Sequence, residues 1–328
     1  MRLGVFFDGF SGTAEMLEAA RLAEEAGADS LWFAQHMGYR EAMIWAAAAA
    51  SVTRRVRLVP TAISPYLWPP LPVAMSLATL DELAPGRMRL AVSIGNLLNL
   101  GESGVTAARP LRAVKEYVEA LRVLFTGEAV HKDGALHRLR GAHMEFAKGL
   151  DVPLYIASTG PQMLALAGGI GDGVLLSAGL TLASCRRCLD LAEAGARARG
   201  RDPAALGKAG FINFNVSTDG GSAKAALLRK IAFLFRSRGH AENIRSSGLD
   251  IDHEAIIAAL ARRDLDGAAR LLPAAAATAF GVAGTPQECR DLLENYLAVG
   301  MTEPIIEISG GREEKQLALA VVRELAGR

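Results

Sequence analysis

Eight short apolar runs recur along this chain, and each is followed by a stretch of helical periodicity. Runs so continuously apolar are buried on both faces, which is the condition of parallel strands covered by helices. They are Arg2–Phe7, Ser30–Ala34, the strand that opens at Val56, Met88–Ile94, Val152–Ala157, Gly173–Ser177, Ala209–Val216 and Pro304–Ile308. The helical stretches between them end at ordinary stops, among them Gly27 and Pro85-Gly86. No long Pro/Gly/Ser linker interrupts the alternation, so the expected fold is α/β, a (β/α)8 TIM barrel forming one domain over residues 1–328. Such a barrel needs about 250 residues, which leaves room for two insertions. Residues 127–150 alternate weakly around a Lys132-Asp133-Gly134 turn and predict a β-hairpin. Residues 240–282 hold helical patches with no strand and predict an all-helical insertion.

The stretch VRLVPTAISPYLWPPLP, Val56 to Pro72, sets where the chemistry falls. Its strand runs into Thr61, Ala62 and Ser64, small residues that let another molecule approach the backbone closely. Pro65, Pro69, Pro70 and Pro72 then stop the chain from continuing as strand or helix. A strand-to-helix loop of this kind is where α/β folds place ligand sites.

The bulk properties exclude several classes. A net charge of +1, with no basic patch, argues against a nucleic-acid partner. The amino terminus is too quickly polar for a signal peptide, and no uncharged apolar run reaches about 18 residues. The expected location is therefore cytoplasmic, with no membrane partner. Cys185, Cys188 and Cys289 are an odd number without a second CxxC pair, which supports neither a disulfide framework nor a metal site. Cys185 and Cys188 fall in a helical apolar pattern and read as packing residues. The second helix, Glu41 to Val52, contains IWAAAAA without a solvated stripe, so a second subunit is expected to cover it as a homodimer.

Working residues of a barrel project from the carboxyl ends of its strands. Here those ends carry Asp8, Gln35 with His36, Thr61 through Ile63 to Ser64, Asn96 with Asn99, Ser158-Thr159-Gly160, Ser177, Asn213 with Asn215, and Glu307. These are mostly neutral hydrogen-bonding groups with one imidazole. Metal hydrolases need several converging His and carboxylate ligands, and retaining glycosidases need two carboxylates about 5 Å apart. The set instead suits a flat polar ring that brings its own chemistry. His36 is the candidate catalytic residue, or it merely satisfies a backbone carbonyl. Ser158-Thr159-Gly160, ahead of Pro161, is a candidate phosphate cradle or an ordinary helix start. Asn96 and Asn99 either hydrogen-bond a ligand or hold a turn. Glu307 reads equally as a rim carboxylate, solvated or paired.

The runs SLWFAQH, VRLVPTAISPY, ATLDELAPGRMRLAVSIG, RPLRAVKEYVEALRVLFTGEAV and VPLYIASTGPQMLALAGGIGDGVLLS, in this order and spacing, resemble the bacterial-luciferase-like flavin and deazaflavin oxidoreductases over nearly the whole chain. Within that superfamily they most resemble the deazaflavin-dependent branch that includes methylene-tetrahydromethanopterin reductase. The resemblance implies a barrel with the cofactor ring at the strand carboxyl ends and a non-prolyl cis peptide in strand three, which falls between Thr61 and Ala62. It implies ring contacts at Asn96 and Asn99, a strand-two histidine at His36, and a phosphate site at Ser158, Thr159 and Gly160. Two departures stand out: Gln35 replaces an Asp common in deazaflavin relatives, and Asn96 replaces the catalytic Glu of sugar-phosphate dehydrogenase relatives. The loop from Asn96 to Gly104 also lacks the glycine-proline-glycine run of the methanopterin reductases.

The expected function is that of an oxidoreductase moving a hydride between coenzyme F420 and a small organic substrate. The alternatives are an FMN-dependent monooxygenase of the same family and a non-catalytic flavin-binding relative. Gln35, Thr61, Ala62, Ile63, Asn96, Asn99, Ser158, Thr159, Gly160 and Ser177 are the expected cofactor contacts. Tyr66, Leu67 and Trp68, with the helical insertion, are expected to form the substrate pocket or simply to pack as a lid.

Overall fold

The structure, a computed structural model, describes residues 2–327. Its strands are β1 (Gly4–Phe7), β2 (Ser30–Ala34), β3 (Arg57–Thr61), β4 (Leu90–Val92), β5 (Val130–Asp133), β6 (Arg138–Ala142), β7 (Leu154–Ala157), β8 (Gly173–Leu176), β9 (Gly207–Ile212), β10 (Phe214–Val216), β11 (Val282–Gly284) and β12 (Glu303–Glu307). Eight of them, all but β5, β6, β10 and β11, make one parallel sheet, and helices follow them in the order of a (β/α)8 barrel. Contacts divide the chain into two compact units. One holds Phe6–Leu175 and Asp190–Gly207; the other holds the chain through Val5, Leu176–Leu189 and the chain from Lys208 onward.

The first unit carries a run of neighbouring strands. β1, β2 and β3 lie side by side, with Ala34 in register with Thr61. Isolated bridges at Leu58–Met88 and Ile63–Val92 join β3 to the β4 segment, and β4, β7 and β8 follow in parallel. β2 is buried at every residue, as its unbroken SLWFA run requires. Around these strands sit α1 (Thr13–Glu25), α2 (Ala42–Val52), α3 (Pro70–Leu83), α4 (Leu97–Glu102), α5 (Pro110–Thr126) and α6 (Pro161–Ile170). α5 buries Val114, Val118, Leu121 and Leu124 along one stripe and stops at Gly127, whose φ of 83° suits glycine. The expected hairpin follows as antiparallel β5 and β6. α2 packs against α3, and Ile44, Met75 and Leu83 of these helices are exposed apolar side chains.

The second unit pairs β9 with β12 and β10 with β11, both parallel. The single strand expected over Ala209–Val216 is therefore two. Asn213 breaks it: its Nδ2 donates to the Phe280 carbonyl at 3.1 Å and its own carbonyl accepts from the Val282 amide at 2.8 Å. These bonds draw Phe214–Val216 onto β11, a strand the apolar pattern did not announce. α8 (Gly220–Leu234) and the helical insertion, α9 (Ala241–Ser246), α10 (His253–Ala261), α11 (Leu265–Arg270) and α12 (Ala276–Ala279), share a core of Leu227, Ile231, Phe235, Ile256 and Phe280. The Phe235 and Phe280 rings meet edge to face at 5.0 Å. α13 (Pro286–Ala298) opens with the full capping box of Thr285 and Glu288, and α14 (Arg312–Ala326) follows β12. α7 (Leu182–Arg197) buries Cys185 and Cys188 in its half within this unit, and burial pushes the Cys185 thiol up to about 12. Among the described residues no helix is long and apolar enough to cross a membrane.

Candidate active site

The carboxyl ends of β1, β2 and β3 meet in the first unit through hydrogen bonds to backbone carbonyls. His36 Nδ1 donates to the Asp8 carbonyl oxygen at 2.8 Å, since a carbonyl can only accept. That bond leaves the exposed Nε2 with its lone pair. The ring lies 5.7 Å from Phe10 and 6.5 Å from Tyr39, both more than half exposed, and those two rings are 4.4 Å apart. Arg40 holds the Gly9 and Phe10 carbonyls at 3.1 and 2.9 Å, which fixes the loop under this aromatic set. Sequence reasoning missed Phe10 and Tyr39; the Asp8-Gly9 turn ahead of Phe10 was the available signal.

Gln35 uses its side-chain oxygen within the protein. Its Oε1 accepts the Ala42 amide at 2.9 Å and so caps α2 beside Glu41, which accepts the Ile44 amide. The backbone N–H of Gln35 donates to the Thr61 carbonyl at 2.7 Å. The Thr61–Ala62 peptide is cis, where the family resemblance placed it. Thr61 is 3% exposed, and its hydroxyl oxygen is buried without a hydrogen-bond partner. Ile63, fully buried, is locked between β4 partners: its N–H donates to Ala91 and its carbonyl accepts from Ser93.

The loop after β3 is held from several directions. Ser64 Oγ donates to the Ile94 carbonyl at 2.9 Å, and the Tyr66 hydroxyl donates to the Ala108 carbonyl at 2.7 Å. Beyond β4 the chain does not run as the loop expected there, because α4 forms. The Leu100 amide donates to the Asn96 carbonyl and the Ser103 amide to the Asn99 carbonyl, so both asparagines sit on a helical turn. Asn96 is exposed and Asn99 half-buried.

At the end of β7, Ser158 accepts the Gly160 amide on Oγ at 3.0 Å rather than capping the helix. Gly160 is the residue before α6 and offers no side-chain cap, and Pro161 fills the first helical position. The opening amides of α6 are thus uncapped by side chains beside exposed Thr159 and Gly160, an arrangement that suits an oxyanion.

Other expected rim residues belong to the second unit. Ser177 is exposed at the end of β8. Asn213 serves the backbone as described, while the Asn215 side-chain oxygen is buried and unpaired. Glu307 is paired, with Lys230 Nζ at 3.1 Å, and Lys230 also reaches Ser309 Oγ at 3.0 Å.

Within the first unit the gathered groups are neutral donors and acceptors around one imidazole. Among the described residues no cluster of three His, Cys, Asp or Glu side chains could hold a metal ion. A flavin-type ring with a ribityl phosphate fits what is present, since the buried Thr61 hydroxyl lacks a partner and the α6 amides lack a cap. These features define an α/β barrel protein whose strand ends are arranged for a polar ring-bearing ligand.

The chain belongs to the luciferase-like monooxygenase family, whose model matches residues 1–303. It is 28% identical over 333 aligned residues to the 5,10-methylenetetrahydromethanopterin reductase of Methanolobus tindarius, covering 100% of both chains. It is likewise 28% identical to the F420-dependent glucose-6-phosphate dehydrogenase of Nocardia farcinica, covering 97% of this chain and 94% of that one. The solved coenzyme F420-dependent tetrahydromethanopterin reductase of Methanopyrus kandleri superposes with a TM-score of 0.90 at 24% identity, over 98% of this chain and 97% of that one. That likeness confirms the barrel fold.

Proposed function

We propose that this protein is an oxidoreductase that binds coenzyme F420 and passes a hydride between its ring and a small organic substrate. One observation carries the reading: a ring-oriented imidazole, His36, stands among neutral strand-end groups, on a chain similar end to end to enzymes named for F420. The deazaflavin, when bound, supplies the two-electron hydride acceptor or donor. Ser158, Thr159 and Gly160, with the first amides of α6, hold its phosphate. Thr61, Ala62, Ile63, Asn96 and Asn99 contact its ring and chain. Gln35 offers its amide N–H groups, because its oxygen is spent on α2.

His36 works through Nε2. In alcohol oxidation Nε2 takes the hydroxyl proton as the hydride leaves the adjacent carbon, and in carbonyl reduction it returns that proton. Neither Gln35 nor Asn96 can share this role, since a carboxamide is neither an effective acid nor an effective base near neutral pH. The substrate meets Tyr66, Leu67 and Trp68, which favour an apolar or planar group. The exposed apolar side chains of α2 and α3 form the face of a homodimer, with Ile44 at 67% exposure its most open member.

A binding titration of cofactor-stripped protein with the deazaflavin and with FMN, followed by fluorescence quenching, tests the reading. Micromolar or tighter binding of the deazaflavin is the expected result. Preference for FMN would move the protein to oxygen chemistry, and binding of neither would remove the proposal. Tight binding without turnover of any carbonyl or activated alkene would point to a relative that keeps the cofactor and has lost the chemistry.

A further inference from the structure

The structure assigns to His137, in the hairpin insertion, the positioning of the loop that leaves β3, by a hydrogen bond to the Pro65 carbonyl. The inference rests on the reading above that Tyr66, Leu67 and Trp68 meet the substrate. His137 stands immediately before β6, and its Nε2 lies 2.8 Å from the Pro65 oxygen across 72 residues of sequence. A carbonyl only accepts, so Nε2 carries the proton and donates it. Burial lowers the imidazole's affinity for a second proton, which keeps the ring in that neutral form.

The loop needs such outside help. Pro65, Pro69, Pro70 and Pro72 have no N–H, so few backbone donors remain with which the segment could brace itself. Its internal bonds gather on Ser64: the Leu67 and Trp68 amides donate to its carbonyl at 3.1 Å each and the Tyr66 amide to its Oγ at 3.3 Å. They shape the turn but do not fix it to the barrel.

The hairpin can act as a brace because α5 holds it. Glu116 Oε2 accepts the Ala135 amide at 2.6 Å, and Glu119 accepts Lys132 Nζ at 2.6 Å. Between them the Gly134 amide donates to the His137 carbonyl at 3.1 Å. The His137 ring also lies 5.9 Å from the ring of Tyr117, which is 1% exposed and sets the imidazole's plane. The second tether, from Tyr66 to Ala108, ends two residues before α5. Ser64 ties the start of the loop to the Ile94 carbonyl, whereas these two further attachments lead back to one helix, and the hairpin insertion acquires a task at the strand ends.

Trp68 reports the loop directly, because it is half-exposed whereas Trp32 and Trp45 are 0% and 2% exposed. We would measure acrylamide quenching of tryptophan fluorescence, without deazaflavin, in wild type, His137→Phe and His137→Gln. Phe keeps the ring contact and removes the donor; Gln keeps a donor. Loss of the bond should raise the quenching constant by about twofold or more in His137→Phe, and Gln should restore it. The rise should vanish when Trp68→Phe is added. If His137→Phe does not fold, His137→Met, apolar and flexible, carries the same comparison. Unchanged quenching, an equal rise in Phe and Gln variants, or a rise that survives the loss of Trp68 would each overturn the inference. Because no cofactor is present, unchanged quenching removes the clamp and leaves the F420 reading intact. A failed cofactor titration with the expected quenching removes only the loop's role toward substrate.

Discussion

The carbonyl of Asp8 selects the tautomer of His36, for the 2.8 Å bond at Nδ1 turns the lone pair of Nε2 outward. A group so fixed can receive a proton without first rotating, and the Phe10 and Tyr39 rings flank it at 5.7 and 6.5 Å. Replacing His36 with Ala or Gln should therefore slow turnover by about 10²-fold or more while the deazaflavin binds as before. Steady-state kinetics beside a cofactor titration check this, and unchanged turnover would assign His36 to structure.

Asn243, 6% exposed on α9, makes the corresponding attachment in the second unit. Its Nδ2 donates to the Gly179 carbonyl at 2.6 Å and its Oδ1 accepts the Thr181 amide at 3.3 Å, so one side chain satisfies both ends of the turn after β8. Ala at this position would strand a buried carbonyl and a buried N–H, at a cost of about 1–3 kcal/mol. Asp would retain the acceptor but set a second oxygen against Gly179, so it should cost at least as much as Ala. Urea unfolding of the two variants measures both, and an unaltered midpoint in either would contradict the account.

In the first unit, α6 and the carboxyl half of α7 approach at backbone distance through two glycines. A Cβ on Gly168 would lie 1.7 Å from the Ala192 oxygen, and one on Gly195 would lie 2.1 Å from the Ala165 oxygen. Both obstacles are main chain and cannot swing aside, so the helices must separate. Gly168→Ala and Gly195→Ala should each destabilise by about 1–3 kcal/mol, despite the better helix propensity of alanine. The double variant should cost less than the sum, because one separation relieves both clashes. Thermal unfolding of the three proteins decides it.

Where local chemistry set the outcome, the sequence was a sufficient guide. SLWFA became β2 with the expected bounds, and Thr285 with Glu288, three residues apart, made a capping box. The residues that failed to read were those whose partners are distant. Nothing near Gln35 says that its oxygen will cap α2, and nothing near Asn213 says that Phe280 and Val282 will bend the strand there. The segment after β4 read as loop because glycines flank it at 95 and 101, yet one bond from the Leu100 amide to the Asn96 carbonyl closes a helical turn. His137 drew no notice at all, since its importance is a carbonyl 72 residues away. The site's ring of strand ends followed from the fold rule, whereas the loops that frame it depend on long-range side-chain bonds that periodicity does not encode.

The capping box also predicts an acid response. Glu288 takes Lys224 Nζ at 2.7 Å and the Thr285 amide at 2.7 Å, and these bonds, the Lys224 one foremost, bring its carboxyl down to about 2 from the ordinary 4.5. A carboxyl depressed by folding binds its proton more readily in the unfolded chain, so its contribution is whole above about pH 4.5 and disappears as the pH falls toward about 2. Glu288→Gln cannot titrate, and its deficit relative to wild type should hold steady at neutral pH and shrink through that window. Lys224→Met should narrow the window from its acid end, since the Thr285 amide alone depresses the carboxyl less. The side chain is 44% exposed, so added salt should reduce the effect as well. Denaturant midpoints of the three proteins between pH 2 and pH 7 provide the test. A deficit in Glu288→Gln that does not vary with pH would show that the cap acts through its hydrogen bond to Thr285 and not through its charge.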